Sequence, residues 1–260
     1  MVKRRKQRRA ISSGSSGKSN RRRGFDLLWG LTDRTGRGPK PALSLPAVIS
    51  AAIDVVSTEG LNALTMARVA SELDVTTMAL YRYVPGKDDL IDLMIDAAFG
   101  TPPAPGGGDW RTAVEEWSKA SLAMFRARPW LLELVMRRAP IGPNWLAWLN
   151  ALLHALSNAG LTAGEMVAAA LLVDGHVRSA AQISLAATGQ RAENFGRVLQ
   201  TVSSDARFPA LARVLMDGGF APAAEDTQSQ FEFGLRRLMD GIDAFVRTRT
   251  RSQAKDRSIN

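Results

Sequence analysis

Leu64-Thr65-Met66-Ala67-Arg68-Val69-Ala70-Ser71-Glu72-Leu73-Asp74-Val75-Thr76-Thr77-Met78-Ala79-Leu80-Tyr81-Arg82-Tyr83-Val84 is the stretch that decides how this chain folds. Thr65 can cap a helix whose inward positions are Val69, Ala70 and Leu73. Asp74-Val75 makes a sharp turn, and Asp tolerates the left-handed conformation such a turn needs. Thr76 can then cap a second, very short helix through Tyr83. Two short helices meeting at a tight turn are how proteins lay one helix into the major groove, which is wide enough to admit it. With Ala79, Leu80 and Tyr83 on or near the inner side, Thr77, Met78, Tyr81 and Arg82 face outward. That set offers a hydroxyl for phosphate or base, an apolar contact for a thymine methyl, and an Arg able to bind guanine bidentately.

Working outward, Ser44 caps a preceding helix with Pro46 in its first turn, where a missing N–H costs little. Leu45, Val48, Ile49, Ala52, Ile53 and Val56 form one apolar face of it, and Gly60 ends it. After the break at Pro85-Gly86, Asp88 and Asp89 complement the dipole of a fourth helix. Lys87 at its start suits the grip of a phosphate. Leu90, Leu93, Met94 and Ala97 form one apolar face and Ile91, Ile95 and Ala98 another, which predicts a helix sandwiched between two bodies. Residues 100–108 hold Gly and Pro in plenty and read as a linker. Beyond them come only helical periods, near 109–127, 129–138, 143–158, 163–188, 191–203, 205–216 and 227–249. No segment alternates as a strand does. The expected fold class is all-α, with a disordered arm over 1–40, a DNA-binding head over 41–98, a larger helical domain over 109–250 and a disordered tail over 251–260.

Charge is unevenly spread. Residues 1–40 carry thirteen Lys/Arg against two acids, so the remaining 220 residues bear two more acids than bases despite the overall charge of +9. A basic arm beside a nearly neutral body suits a polyanion partner, although a solvated tail with no specific role has the same composition. The short apolar run Phe25–Leu31 can dock on the body or on DNA, with packing favoured. The chain has no Cys and two His, His154 and His176, so disulfides, thiolate zinc sites and Cys nucleophiles are excluded. No paired-carboxylate motif or nucleotide loop is present. No metal, cofactor or catalytic residue is therefore expected, and no enzyme. No apolar run reaches the ~18–20 residues that span a bilayer, and no secretory signal is evident, which points to the cytoplasm.

Residues 45–98 resemble the DNA-binding domain of the tetracycline-repressor (TetR) family. The resemblance rests on Thr58-Glu59-Gly60, Leu64-Thr65-Met66, the turn Leu73-Asp74-Val75, Ala79-Leu80-Tyr81-Arg82-Tyr83-Val84 and Lys87-Asp88-Asp89-Leu90-Ile91-Asp92. The run Phe231–Ile242 resembles the closing helix of the subgroup with a tetracycline-repressor-type effector domain. The resemblance implies a homodimeric regulator, by family habit a repressor, released from a palindromic double-stranded DNA operator by a small-molecule effector. It adds Thr65, Arg68, Thr76 and Tyr83 to the candidate DNA contacts. Trp110, Trp117, Trp130, Trp145 and Trp148 with Met124, Phe125 and Met136 are enough aromatic and soft side chains to line an apolar cavity, and the ligand pocket is expected among Trp117, Phe125, Trp130, Trp148, His154 and His176. Dimerisation is expected through the helices near 163–188 and 227–249, the latter with an apolar stripe of Phe231, Leu235, Leu238, Met239, Ile242, Phe245 and Val246. Asp74 stands where the family usually has Gly, and Ala67 stands where the tetracycline repressor itself reads a base with Arg, so no operator sequence carries over. His154 reads as a core or pocket histidine rather than a metal ligand, and His176 as pocket, interface or ordinary polar face. Two rival readings are a sequence-indifferent basic DNA binder and an all-helical enzyme.

Overall fold

The computed structural model describes residues 23–31, 43–104, 109–187, 189–203, 205–219 and 224–257, and these are helical throughout, with no strand among them. They form two compact units. The first takes residues 1–102 and 133–148, the second 103–132 and 149–260.

In the first unit a short helix, α1 (23–28), precedes α2 (Leu45–Glu59), α3 (Met66–Glu72), α4 (Thr77–Leu80) and α5 (Lys87–Phe99). Ser44, Thr65 and Thr76 each cap the helix that follows, their hydroxyls accepting from the backbone N–H three residues on. Asp74 adopts φ 52°, alone among the described non-Gly residues in the left-handed region, so the turn between α3 and α4 forms with Asp in the strained position. Val48, Val56, Leu64, Val69, Leu80, Val84, Leu90 and Met94 are all buried and make one core from α2–α5. Burial of side chains this size stabilises by about 1.5–3 kcal/mol each, as an upper bound.

Parts of α7 (Pro129–Arg137) and α8 (Pro143–Leu156) complete this unit, held on α5 by contacts about one turn apart. Arg138 reaches Asp92 at 3.3 Å and Asp88 at 3.7 Å. The Asp96 carboxylate, 7% exposed, accepts from the backbone N–H of Asn144 at 2.8 Å and of Trp145 at 3.2 Å. The Asn144 amide returns a bond to the Asp96 carbonyl at 3.0 Å. The Trp148 indole N–H donates to the Phe99 carbonyl at 3.0 Å. Gly142 lies so close to Asp96 that a Cβ there would overlap the carboxylate.

The second unit packs α6 (Trp110–Ala127), α9 (Ala163–Ala186) and α12 (Ala224–Arg257), with α10 (Gly189–Val202) against α9 and α11 (Pro209–Met216) following. Asp109 caps α6, and Thr162 with Glu165 forms a capping box on α9. Arg111 bridges α6 to Asp240 and Asp243 of α12, and Arg126 reaches Ser184 of α9 and Gln228 of α12.

Three expectations need correction. The helix at 23–28 lies inside the segment expected to be disordered, because Leu28 is buried and Phe25 stacks on Trp29 with centroids 5.7 Å apart. The remainder of the arm, 1–22 and 32–42, lies outside the described residues. Helix α12 runs on through Arg257 instead of yielding to a tail at 251, since no Gly or Pro follows Gly241 and Gln253, Ala254 and Lys255 favour helix. Helix α11 starts at Pro209, not 205, because the Asp205 carboxylate accepts from the backbone N–H of Arg207 and holds a turn there.

Burial pushes the carboxyls of Asp89, Asp92 and Asp96 up from the ordinary aspartate value, and in Asp96 it outweighs the bonds from Trp145 and Asn144. The folded chain thus binds these protons more tightly than the unfolded one. Their contribution to stability is greatest below the unfolded value of about 3.9 and falls as pH rises through the raised values. Asp96→Asn keeps an acceptor for the two backbone N–H groups but removes one of the three protons. In thermal melts followed by circular dichroism, its Tm should decline less than wild type between about pH 4 and 7. A parallel decline would mean that Asp96 titrates alike in both states.

Candidate nucleic-acid interface and ligand cleft

Helix α4 follows the turn at Asp74 and presents a short outer face. Met78 is 75% and Tyr81 41% exposed, and Arg82 and Lys87 are also exposed, while Thr77 and Tyr83 are half-buried, so Thr77 faces outward less than the sequence suggests. Thr65 and Thr76 spend their hydroxyl oxygens on capping, at 3.0 and 3.3 Å, which leaves each O–H proton for another acceptor. Arg68 is differently placed. Its guanidinium is held by Glu59 at 2.6 Å and Glu72 at 2.8 Å, which raise its pKa and, in Glu59, lower the carboxyl. With its fork occupied by α2 and by its own helix, Arg68 drops out of the set of free outward cations. The sequence reading also missed Arg23 of α1, whose Nη2 donates to the Arg82 carbonyl at 2.6 Å.

In the second unit a small open cleft, with a cavity volume of about 50 Å³, is bounded by Pro103, Trp110, Glu116, Trp117, His154 and Asn158. Two indoles and an imidazole supply flat walls, while Glu116 and Asn158 supply a carboxylate and an amide at the edge. The lining therefore offers stacking faces together with a polar edge. Trp117 and His154 line it as expected. Phe125, Trp130, Trp148 and His176 do not line it. Phe125 is 1% exposed in the core and Trp130 is buried, while Trp148 is engaged with Phe99 in the first unit. His176 stacks on Phe231 at 5.4 Å, its Nε2 paired with the Phe231 carbonyl at 2.9 Å. Trp110, one of the aromatic side chains read as able to line a cavity, is there too, whereas Glu116 and Asn158 were not singled out in sequence, since nothing there shows that α6 and α8 meet at these positions.

Two family profiles match the chain. One, described as bacterial regulatory proteins of the tetR family, covers residues 48–94, and the other, the tetracyclin repressor-like C-terminal domain, covers residues 102–246. The chain belongs to the TetR family. It is a DNA-binding transcriptional regulator with a helix-turn-helix head and a tetracycline-repressor-type effector domain. Among curated proteins it is 39% identical over 251 residues to the HTH-type transcriptional repressor DrrR1 of Streptomyces coeruleorubidus, covering 93% of this chain and 92% of that one. Among solved structures it is similar to apo ActR from Streptomyces coelicolor, with a TM-score of 0.69, 26% identity and 80% and 98% of the two chains covered. It is also similar to ActR in complex with actinorhodin, with a TM-score of 0.68, 26% identity and 78% and 96% covered.

The last two helices of a TetR-type body carry the remaining candidates, and here the structure inverts the expectation. Phe231 and Leu235 are 1% exposed and Ile242 is 9% exposed, packed within their own chain on the α9 side of α12, with Leu238 half-buried beside them. Phe231, Leu235 and Ile242 are thus spent within their own subunit, while Leu238 keeps part of its surface. The exposed apolar side chains are Phe233 and Phe245 on α12 and Val167, Leu171, Leu172 and Ile183 on α9. The α9–α12 contact is close at Gly234, where a Cβ would overlap the His176 ring. Gly234→Ala must displace that ring from Phe231. A loss of about 1–3 kcal/mol in urea unfolding is expected, and an unchanged midpoint would show that the ring swings aside freely.

Proposed function

We propose that the chain is a homodimeric repressor that binds an inverted-repeat operator through α3 and α4 and leaves it when a small aromatic effector occupies the cleft beside Trp110, Trp117 and His154. The observation that carries this reading is the outer face of α4. Met78 stands exposed on a helix capped by Thr76, and Tyr81 and Arg82 stand exposed in the turn that follows it, where the sequence suggests helix through Tyr83, with Lys87 at the next helix start. Arg82 is the candidate base reader, Tyr81 and Thr77 position the head on the backbone, and Lys87 holds phosphate. Repression is supported by the likeness to DrrR1, which is named a repressor. A planar effector is supported by the flat walls of the cleft and by the likeness to ActR, solved with actinorhodin. Working on DNA, such a regulator acts in the cytoplasm. An effector that fits the body better with the heads at another spacing would weaken operator binding by its differential affinity, typically ~1–3 kcal/mol.

The direct test is footprinting on DNA flanking the protein's own gene. Protection of two half-sites about one helical turn apart, ~34–36 Å, is expected, and protection without sequence preference would overturn the reading in favour of an indifferent basic binder. Arg82→Ala should cost ~1–3 kcal/mol on the operator and much less on random DNA, whereas Lys87→Ala should weaken both alike. Equal losses for Arg82→Ala on the two DNAs would reassign it to phosphate.

The dimer is assigned to the exposed stripe of α9 and α12, with Leu171 and Leu172 at its middle. Leu171 is 68% exposed, so Leu171→Asp leaves the subunit's core untouched. Light scattering should show it monomeric and gel shifts should show operator binding lost. A variant still dimeric would place the interface elsewhere.

A further inference from the structure

Arg82 lies beyond the end of α4, in the turn that leads to α5, so its carbonyl falls past the last bonds of that helix. The Ala79 and Leu80 carbonyls accept from the N–H groups of Arg82, Tyr83 and Val84, which closes α4. The Arg82 carbonyl is reached from outside the helix-turn-helix. Arg23 of α1 donates to it through Nη2 at 2.6 Å, across 59 residues of sequence. The next residue, Gly24, is buried so close to α5 that a Cβ there would overlap the Asp89 carboxylate. Two adjacent residues of α1 thus meet both sides of the Pro85-Gly86 break, the turn after α4 on one side and the first turn of α5 on the other. Leu28 is buried, and Phe25 stacks on Trp29 at 5.7 Å, so packing as well as the hydrogen bond seats α1.

We propose that Arg23 is a positioning residue for DNA reading, which fixes the Arg82 backbone so that the Arg82 side chain meets the groove in one orientation. The inference rests on the reading of α4 and its turn as the DNA-facing surface. The two ends of this segment are held differently. Thr76 fixes the start by accepting from the Ala79 N–H, whereas at the other end the helix has stopped before Arg82 is reached. A guanidinium on a carbonyl past a helix end supplies what another turn of helix would, through a charge-assisted bond. A base contact is sensitive to this, because a bidentate pair needs both N–H groups aligned on one base edge. Without Arg23 the Arg82 cation is still present, but its backbone samples several orientations and only a fraction of them suit the base. Apparent affinity for the operator falls by that fraction.

Operator and random duplexes are titrated by fluorescence anisotropy over a range of salt with the full chain, Arg23→Ala, Arg23→Lys, Arg82→Ala and the double variant Arg23→Ala/Arg82→Ala. Arg23 is exposed, so its replacement leaves the core of the head untouched. Arg23→Ala should weaken operator binding roughly tenfold, as expected for one charge-assisted bond, and random DNA by less than about twofold. Arg23→Lys, which returns a cationic N–H donor, should recover most of that loss. In the Arg82→Ala background, Arg23→Ala should cost less than about twofold on either DNA, because the side chain it positions is gone. Equal losses on both DNAs, with a slope of log affinity against log salt shallower by about 0.9, would make Arg23 a phosphate contact in its own right and overturn the positioning role. The same operator loss with and without the Arg82 side chain would overturn it as well, and so would an operator affinity that Arg23→Ala leaves unchanged. A full chain with no preference for operator over random DNA would instead overturn the reading of α4 itself, and this inference with it.

Discussion

The buried carboxylate of Asp96 is the constraint around which the first unit is arranged. A buried carboxyl is costly unless its lone pairs are occupied, and here the backbone N–H groups at the first turn of α8 occupy them and offset part of the burial that raises its pKa. Those groups have no partner within their own helix and carry the positive end of its dipole. A helix start and a buried acid therefore satisfy each other. The arrangement requires the absence of a side chain at Gly142, and it fixes the register in which Arg138 meets Asp92 and Trp148 meets Phe99. Through it α8 belongs to the first unit up to Trp148 and to the second from Leu149 on.

Burial and exposure on α9 and α12 follow a different logic. Each helix has two apolar stripes. On α9, Ala169, Ala170, Val173, Val177, Ala180 and Ala181 turn inward with small volumes that let another helix approach closely. The larger Val167, Leu171, Leu172 and Ile183 are left outside. Small residues inside and large ones outside is the reverse of an isolated amphipathic helix, and it marks the outer stripe as a surface meant to be covered.

Much of the head was legible in the sequence because its determinants are local. Ser44, Thr65 and Thr76 announce the helix starts within three residues of the bonds they make, and Asp74 announces its turn by the one conformation it tolerates better than most residues. What could not be read lies in contacts across long separations. Asp96 and Asn144 are 48 residues apart. Arg68 is a mixed case: Glu72, four residues on, is a local partner that the spacing offers, but its second partner, Glu59 on α2, is set by how the helices pack. The α12 stripe was read correctly as apolar, but Phe231, Leu235, Met239 and Ile242 of it face inward and Phe245 outward, since periodicity identifies a face but not what the face meets. Likewise Trp130 and Trp148 have the composition of pocket residues, but only packing decides which indole borders empty space.

The brevity of α4, four residues from Thr77 to Leu80, sets how much the protein can know about a DNA sequence. A helix this short can bring two or three side chains to base edges, and each correct base pair discriminates by about 1–3 kcal/mol. One head alone therefore separates its target from competitors by roughly 2–9 kcal/mol, against a chromosome offering about 10⁶ or more alternative sites. Selecting one site among that many takes about 8 kcal/mol, which a single head reaches only at the top of its range. Two heads acting as one unit double the range to roughly 4–18 kcal/mol, which brings the requirement near its middle. Specificity thus resides in pairing as much as in chemistry, and the amount of protein in the cell, which governs how many subunits are paired, becomes part of how accurately a gene is found.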